Sequence, residues 1–245
     1  MLGYIISNKN EINVKEHKIF SFDILHKTDL NIFVIENNKV LYKNNIIYNA
    51  CRYGHIQVLE WFKNSGYKFK YTDEVINTAS LNGHIQVLEW FKNSGYEFKY
   101  DYDAINLASY NGHIQVLEWF KNSGYEFKYD ENAINYASEY GHVQVLEWFK
   151  NSGYEFKYDE DATQYASKYG NVKILKWFKN SGYKFKYNKV AIYWASWNKS
   201  VKVLKFYSNN IKIKKLIIWG LKSKFFIKMI KFKNNHKYFK GYQKN

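Results

Sequence analysis

Between residues 103 and 124 the apolar positions follow two short helical periods rather than one long one. Ile105 and Ala108 stand three apart; beyond Asn111-Gly112, Ile114, Leu117 and Phe120 recur at three-residue steps with Val116 and Trp119 beside them. Such spacing gathers apolar side chains on one helix face and predicts a first helix of about two turns, then a longer second one. Asp101 and Asp103 precede the first helix, where a carboxylate accepts hydrogen bonds from free N–H groups and suits the helix dipole. Gly124 is placed to close the second helix in the left-handed conformation. Glu118 and Lys121, three apart, are expected to pair on the wet side. Tyr125-Glu-Phe-Lys-Tyr129 then alternates aromatic and polar residues and reads as an extended link.

The pattern returns every 29 residues. Gly54-His-Ile-Gln-Val-Leu-Glu-Trp-Phe-Lys-Asn-Ser-Gly66 recurs intact from Gly83 and Gly112, with one change from Gly141 and several from Gly170. A fixed period of roughly 20–50 residues marks supersecondary units that bury a core only by stacking on their neighbours. One copy holds too few large apolar side chains to offset the ordering of its own backbone, so neighbours are expected to share the Trp/Phe layer. The organisation predicted is an N-terminal segment 1–43 with a degenerate capping repeat, since His26, Leu30 and Phe33 fall 29 residues before His55, Leu59 and Phe62. Six repeats follow, at 44–72, 73–101, 102–130, 131–159, 160–188 and 189–213, and then a degenerate Lys-rich closing repeat and tail at 214–245. No room is left for a separate catalytic domain.

The second half of each copy, Gly112-His113-Ile-Gln-Val116-Leu117-Glu-Trp119-Phe120-Lys-Asn-Ser-Gly124, resembles the ankyrin repeat without a gap. The first half, Asp103-Ala104-Ile105-Asn106-Leu107-Ala108-Ser109, keeps that family's aliphatic and alanine but lacks its Pro and His. The period is shorter than the family's roughly 33 residues, and the missing stretch falls between Lys128 and Asn132, so hairpin fingers should be stubby or absent. With Trp-Phe-Lys-Asn-Ser-Gly-Tyr and no proline, the chain looks like the ankyrin-repeat families of giant amoeba-infecting DNA viruses. The resemblance implies an all-α, ankyrin-like helix-turn-helix solenoid that binds other proteins.

Composition adds three constraints. Hydrophobic content of 46% and aromatic content of 20% exclude wholesale disorder, and the single cysteine, Cys51, excludes a disulfide framework and fits a reducing compartment. The N-terminus Met1-Leu-Gly-Tyr-Ile-Ile-Ser has no signal-peptide character, and the longest apolar run, 216–221, is far short of the ~20 residues that span a bilayer. A soluble, intracellular protein of the host cytoplasm is expected. The net charge of +15 is split: residues up to Asp161 carry 16 basic and all 22 acidic side chains, a sum of −6, and the rest carry 21 lysines and no acid. Such asymmetry marks either an anionic partner at one end or the codon bias of an AT-rich genome.

Comparison of the copies locates the candidate surface. Arg52, Leu81, Tyr110, Glu139, Lys168 and Trp197 occupy one slot in six successive units, six different residues; the next slot holds only two types, at Tyr53, Asn82, Asn111, Tyr140, Tyr169 and Asn198. In ankyrin proteins the matching positions face the concave side and commonly touch the partner, so the resemblance places an unidentified protein partner there. Exposed positions that drift freely would vary too, but Tyr and Trp are favoured interface anchors. The competing expectation is electrostatic binding of nucleic acid or an anionic membrane by Lys212, Lys214, Lys215, Lys222, Lys224, Lys228, Lys231 and Lys233, which alternate with Ile, Phe and Trp. The same lysines suit the polar exterior of a capping unit.

His55, His84, His113 and His142 recur once per copy. Packed helices lie ~8–10 Å apart whereas zinc ligands must each come within ~2.1 Å, so a structural role is expected and no metal. Glu60, Glu89, Glu118 and Glu147 recur with Lys63, Lys92, Lys121 and Lys150 as a solvated face. Phosphate loop, nucleophile elbow and paired-Cys motifs are all missing from the sequence. No enzyme, cofactor or small-molecule substrate is expected.

Overall fold

The structure is a computed structural model that describes residues 33–36, 39–42, 46–65 and 70–210. Two strands, β1 (Phe33–Glu36) and β2 (Lys39–Tyr42), precede twelve helices among the described residues. They are α1 (Ile46–Tyr53), α2 (Ile56–Ser65), α3 (Glu74–Leu81), α4 (Ile85–Ser94), α5 (Asp103–Tyr110) and α6 (Ile114–Asn122), followed by α7 (Asn132–Tyr140), α8 (Val143–Asn151), α9 (Glu160–Lys168), α10 (Val172–Asn180), α11 (Lys189–Trp197) and α12 (Val201–Asn210). The chain divides into two compact units, residues 1–133 and 134–245. In the first, α1, α3 and α5 pack in succession, as do α2, α4 and α6. In the second, α9 packs on α11, and α8, α10 and α12 form the parallel row. Each unit is thus a stack of helix pairs.

The expected N-terminal segment 1–43 with its capping repeat lies mostly outside the described residues, and the closing repeat at 214–245 lies wholly outside them. Phe33, aligned by the period with Phe62 of a second helix, sits instead in β1, which pairs antiparallel with β2 in the register Phe33↔Tyr42 to Glu36↔Lys39. Phe-Val-Ile-Glu and Lys-Val-Leu-Tyr, separated by Asn37-Asn38, carry the β-branched runs and turn residues of a hairpin.

The first helices α5, α7, α9 and α11 start on a side-chain acceptor. Asp101, Asp130 and Asp159 each take the N–H two residues on, at 2.9 Å, and Asn188 takes those of Val190 and Ala191. Glycine closes first helices at positive φ, +74° at Gly83; in the last described pair Lys199 holds that conformation at +54°, a strain for any side chain. In second helices the core is Val116, Leu117 and Phe120, all fully buried, with the same positions buried in the other copies except Leu204, which is half-buried. Val116, expected at the flank, lies inside, and Ile114 is only half-buried. Gly124 has φ +87°, as its placement at the helix end predicted. The links at 126–130 and 155–159 carry no strand.

The copies are tied by bonds that cross from one to the next. In the first unit, the indole N–H of Trp90 donates to Glu60 and that of Trp119 to Glu89, both at 2.7 Å. Asn77 and Asn106, buried in α3 and α5, donate at 2.8 Å to Asp101 and Asp130, the carboxylates that cap the first helices of the following copies. The hydroxyls of Tyr71 and Tyr100 donate to the carbonyls of Glu97 and Glu126 at 2.6 Å. Link aromatics stack across copies as well, Phe98 on Tyr125 at 4.3 Å and on Trp119 at 5.5 Å. In the second unit, Trp177 donates to Glu147, Tyr158 donates to the Lys184 carbonyl, and Phe156 stacks on Tyr183 at 4.4 Å.

Tyr207 replaces the Phe of earlier copies, and its hydroxyl lies 2.8 Å from the Ser167 hydroxyl in a buried site. Burial pushes its pKa from 10 up to about 12, against the opposing pull of the Ser167 and Thr163 hydrogen bonds. The folded pKa is raised, so this contribution is complete below pH 10 and is lost as pH rises towards 12. The loss amounts to about 3 kcal/mol. Tyr207→Phe is expected to flatten the fall in urea-unfolding stability between pH 10 and 12 relative to the wild type; an unchanged pH profile would contradict this reading.

Candidate partner-binding surface

The variable slot lies at the end of each first helix, and the fold uses its carbonyl rather than its side chain. In the first unit, His84 Nε2 lies 2.9 Å from the Arg52 carbonyl oxygen, and Asn111 Nδ2 donates to the Leu81 carbonyl at 2.6 Å. In the second, Asn171 and Asn198 donate to the carbonyls of Glu139 and Lys168, each at 2.6 Å. Carbonyls at a helix end lack an intrahelical partner, and here the following copy brings one. Every residue type has that carbonyl, so the side chain is free to change while the backbone stays pinned.

The bonding also says what the histidine is for. Its ring fills the space above the preceding copy's glycine: a Cβ built on Gly54 would stand 2.8 Å from His84 Nδ1, and one on Gly83 2.8 Å from His113 Nδ1. Asn171, which stands where the earlier copies have His, occupies the same position over Gly141, at 3.0 Å.

The second slot divides by residue type. Asn111 and Asn198 stitch copies together, and Asn82 bonds the Thr78 carbonyl of its own helix at 2.8 Å. Tyr53, Tyr140 and Tyr169 are 44%, 43% and 49% exposed. Of the twelve residues singled out from the sequence, these three asparagines hold the frame, and the tyrosines present surface. In the first slot Arg52 is exposed, with its guanidinium 5.5 Å from the Tyr53 ring centre; Leu81, Tyr110, Glu139, Lys168 and Trp197 are half-buried.

The copies also differ one turn earlier, at Thr78, Leu107, Tyr136, Tyr165 and Trp194, a column that comparison of the two slots alone does not single out. The same 29-residue alignment would have shown it. Its members give the two units different faces. In the first unit, Leu81 and Leu107 flank a groove of about 700 Å³ across α1, α3 and α5, over buried Ile47, Val75 and Thr78. In the second, the first helices present rings: Tyr140 stacks on Tyr169 at 6.2 Å, Tyr193 lies 6.0 Å from Trp197, and Lys168 Nζ stands 4.8 Å from the Tyr169 ring and 5.3 Å from Trp194.

Charge gathers where the first helices begin. Burial and then the neighbouring carboxylates Asp101, Asp130 and Asp73 raise the pKa of Asp103; burial, Asp159 and Glu160 do the same to Asp161. Among the recurring second-helix glutamates, Glu60, Glu89 and Glu147 take the indole N–H of the next copy, a partner that the expected Glu–Lys pairing left out. Glu89 is held below the usual carboxylate range first by the Trp119 and Asn93 hydrogen bonds, with Lys92 contributing last, and the Lys92 ammonium lies 5.8 Å over the Trp119 ring. The eight lysines from Lys212 to Lys233 fall outside the described residues. Among the described residues no three His, Cys, Asp or Glu side chains cluster as metal ligands would, and no helix is long and apolar enough to cross a membrane.

Helix pairs at a 29-residue spacing, tight glycine turns and strandless links define an ankyrin-like repeat stack with shortened fingers. Among solved structures the chain is similar to the human ASB11 ankyrin repeat domain, with a TM-score of 0.53 at 14% identity over 66% of this chain and 82% of that one. No family model and no curated protein matches the sequence.

Proposed function

We propose that the protein is a non-catalytic interaction scaffold that grips a partner protein with the side chains at the ends of its first helices. The observation that carries this reading is the division of labour in the variable slot: four of its six carbonyls are bonded by the following copy, while the side chains differ in all six copies. A frame held constant beneath a changing, partly aromatic surface is what a partner-matched interface requires. The resemblance of its repeats to giant-virus ankyrin repeats supports reading it as a scaffold of the host-cell cytoplasm with a protein partner still to be identified.

The test is affinity capture with the wild type beside a variant carrying Ala at Tyr110, Tyr136, Tyr140, Tyr165 and Trp197. The variant is expected to lose the specific partners while keeping its helical circular dichroism. Recovery of the same proteins by both would sink the proposal. Binding held by this surface should change little between 50 and 200 mM salt, whereas lysine-held nucleic acid would weaken steeply, by about 10³-fold or more.

A further inference from the structure

We propose that the groove of the first unit takes an extended segment of a partner protein in which basic and apolar side chains alternate. The inference rests on the scaffold reading and adds the chemistry of what the first unit would hold. Three features of the groove point to that occupant.

The first is its apolar interior. Ile47 and Val75 are buried on its wall, and Leu81 and Leu107 are half-buried beside them. A space of about 700 Å³ is within the usual size of a side-chain-binding cleft, and apolar atoms entering it would cover leucine surface that neighbouring copies leave open.

The second is the charge at its lip. Glu74 and Asp103 are exposed there, and the pKa of Asp103 is raised by burial together with Asp101, Asp130 and Asp73. Burial is the larger cause, and the three carboxylates that add to it place further negative charge around the lip. The cations nearby are Lys70 on the groove wall and Lys99, which stands over the ring of the groove-lining Tyr71 and pairs with Glu97. Asp101 and Asp130 already give Oδ1 acceptors to Asn77, Asn106 and the helix N–H groups. They supply field at the lip rather than further bonds.

The third is the charge of the part of the chain that carries the groove: residues up to Asp161 sum to −6. The excess that brings the whole chain to +15 comes from the residues beyond Asp161, so the groove's own part of the chain favours a cationic ligand.

The probe is a fluorescein-labelled peptide of about seven residues alternating Lys and Leu. Extended, it spans about 24 Å, enough to cross three first helices ~8–10 Å apart. Two companions alternate Lys with Ser and Glu with Leu. Titrated by anisotropy against the full chain at about 150 mM salt, the Lys/Leu peptide is expected to bind about tenfold more tightly than either companion. Glu74→Gln with Asp103→Asn, and separately Leu81→Ser with Leu107→Ser, should each weaken it about fivefold or more. Tyr140→Ala with Tyr169→Ala, in the second unit, should leave it unchanged. All of these side chains are exposed or half-buried, and unchanged circular dichroism confirms that the variants fold.

No binding of the Lys/Leu peptide overturns the proposal, as does equal binding of the Lys/Ser peptide or indifference to both groove variants. If those results come while the five-alanine variant still loses its partners, the groove assignment alone fails. If the peptide binds as stated and the five-alanine variant loses nothing, the groove stands and the wider stripe falls.

Discussion

Phe120→Ala is expected to destabilise the protein by about 3–5 kcal/mol, the range for truncating a large aromatic in a packed core. Phe120 is fully buried in α6, with the Tyr100 ring 5.4 Å away, Trp119 at 5.1 Å and Phe98 at 6.1 Å. Two of these rings come from the preceding link, so the truncation opens a void between copies rather than inside one. Stability in such stacks is a sum of repeat terms and nearest-neighbour interfaces, and this substitution strikes both. The surroundings are poorly placed to collapse into the gap, since Tyr100 is held at its far end by the bond to the Glu126 carbonyl. Urea unfolding followed by circular dichroism measures the loss. A change below about 1 kcal/mol would mean that the aromatic layer between copies is not what holds them. Because α5, with Leu107 and Tyr110, packs on α6, partner binding by those residues should fall in parallel.

Gly83→Ala is the second large effect, expected at about 2–5 kcal/mol. Two costs combine. The backbone at Gly83 has φ +74°, which costs an L residue about 1–2 kcal/mol. The new methyl would also stand 2.8 Å from His113 Nδ1 and 2.9 Å from its Cε1, and overpacking of this kind costs about 1–3 kcal/mol. Gly95→Ala separates the two, since Gly95 has φ +84° but a methyl added there would meet nothing within 4 Å. It should show the backbone cost alone. Adding His113→Ala to Gly83→Ala should recover the difference in a double-mutant cycle. Equal losses at Gly83 and Gly95 would show that glycine and histidine do not interlock.

Much of this was legible from spacing. The three-residue steps of Ile114, Leu117 and Phe120 predicted the second helix, Asp101 its partner's start, and Gly124 its end, because each depends on neighbours within one turn. Distance alone argued for a structural histidine, although its use as a wedge over the previous glycine was not visible. The Glu–Lys pairing missed the indole: Glu89 and Lys92 are close along the helix, but Trp119 arrives from the next copy and takes the carboxylate. The second slot looked like one surface column. Its asparagines proved to bond carbonyls and its tyrosines to be exposed, a distinction that depends on what the adjoining copy places within reach.

The amino-acid sequence by itself determined the repeat length, the helix pairs, their caps and the apolar layer, since these follow from local periodicity and from backbone preferences of single residues. Only the tertiary structure decided which side chain of one copy meets which atom of the next: indole with carboxylate, imidazole with glycine, amide with carbonyl. Those meetings join residues 30 to 32 positions apart. They are set by the offset at which one helix pair stacks on another, a quantity that no single copy contains. The groove and its acidic lip arise from the same offset, which brings α1, α3 and α5 side by side.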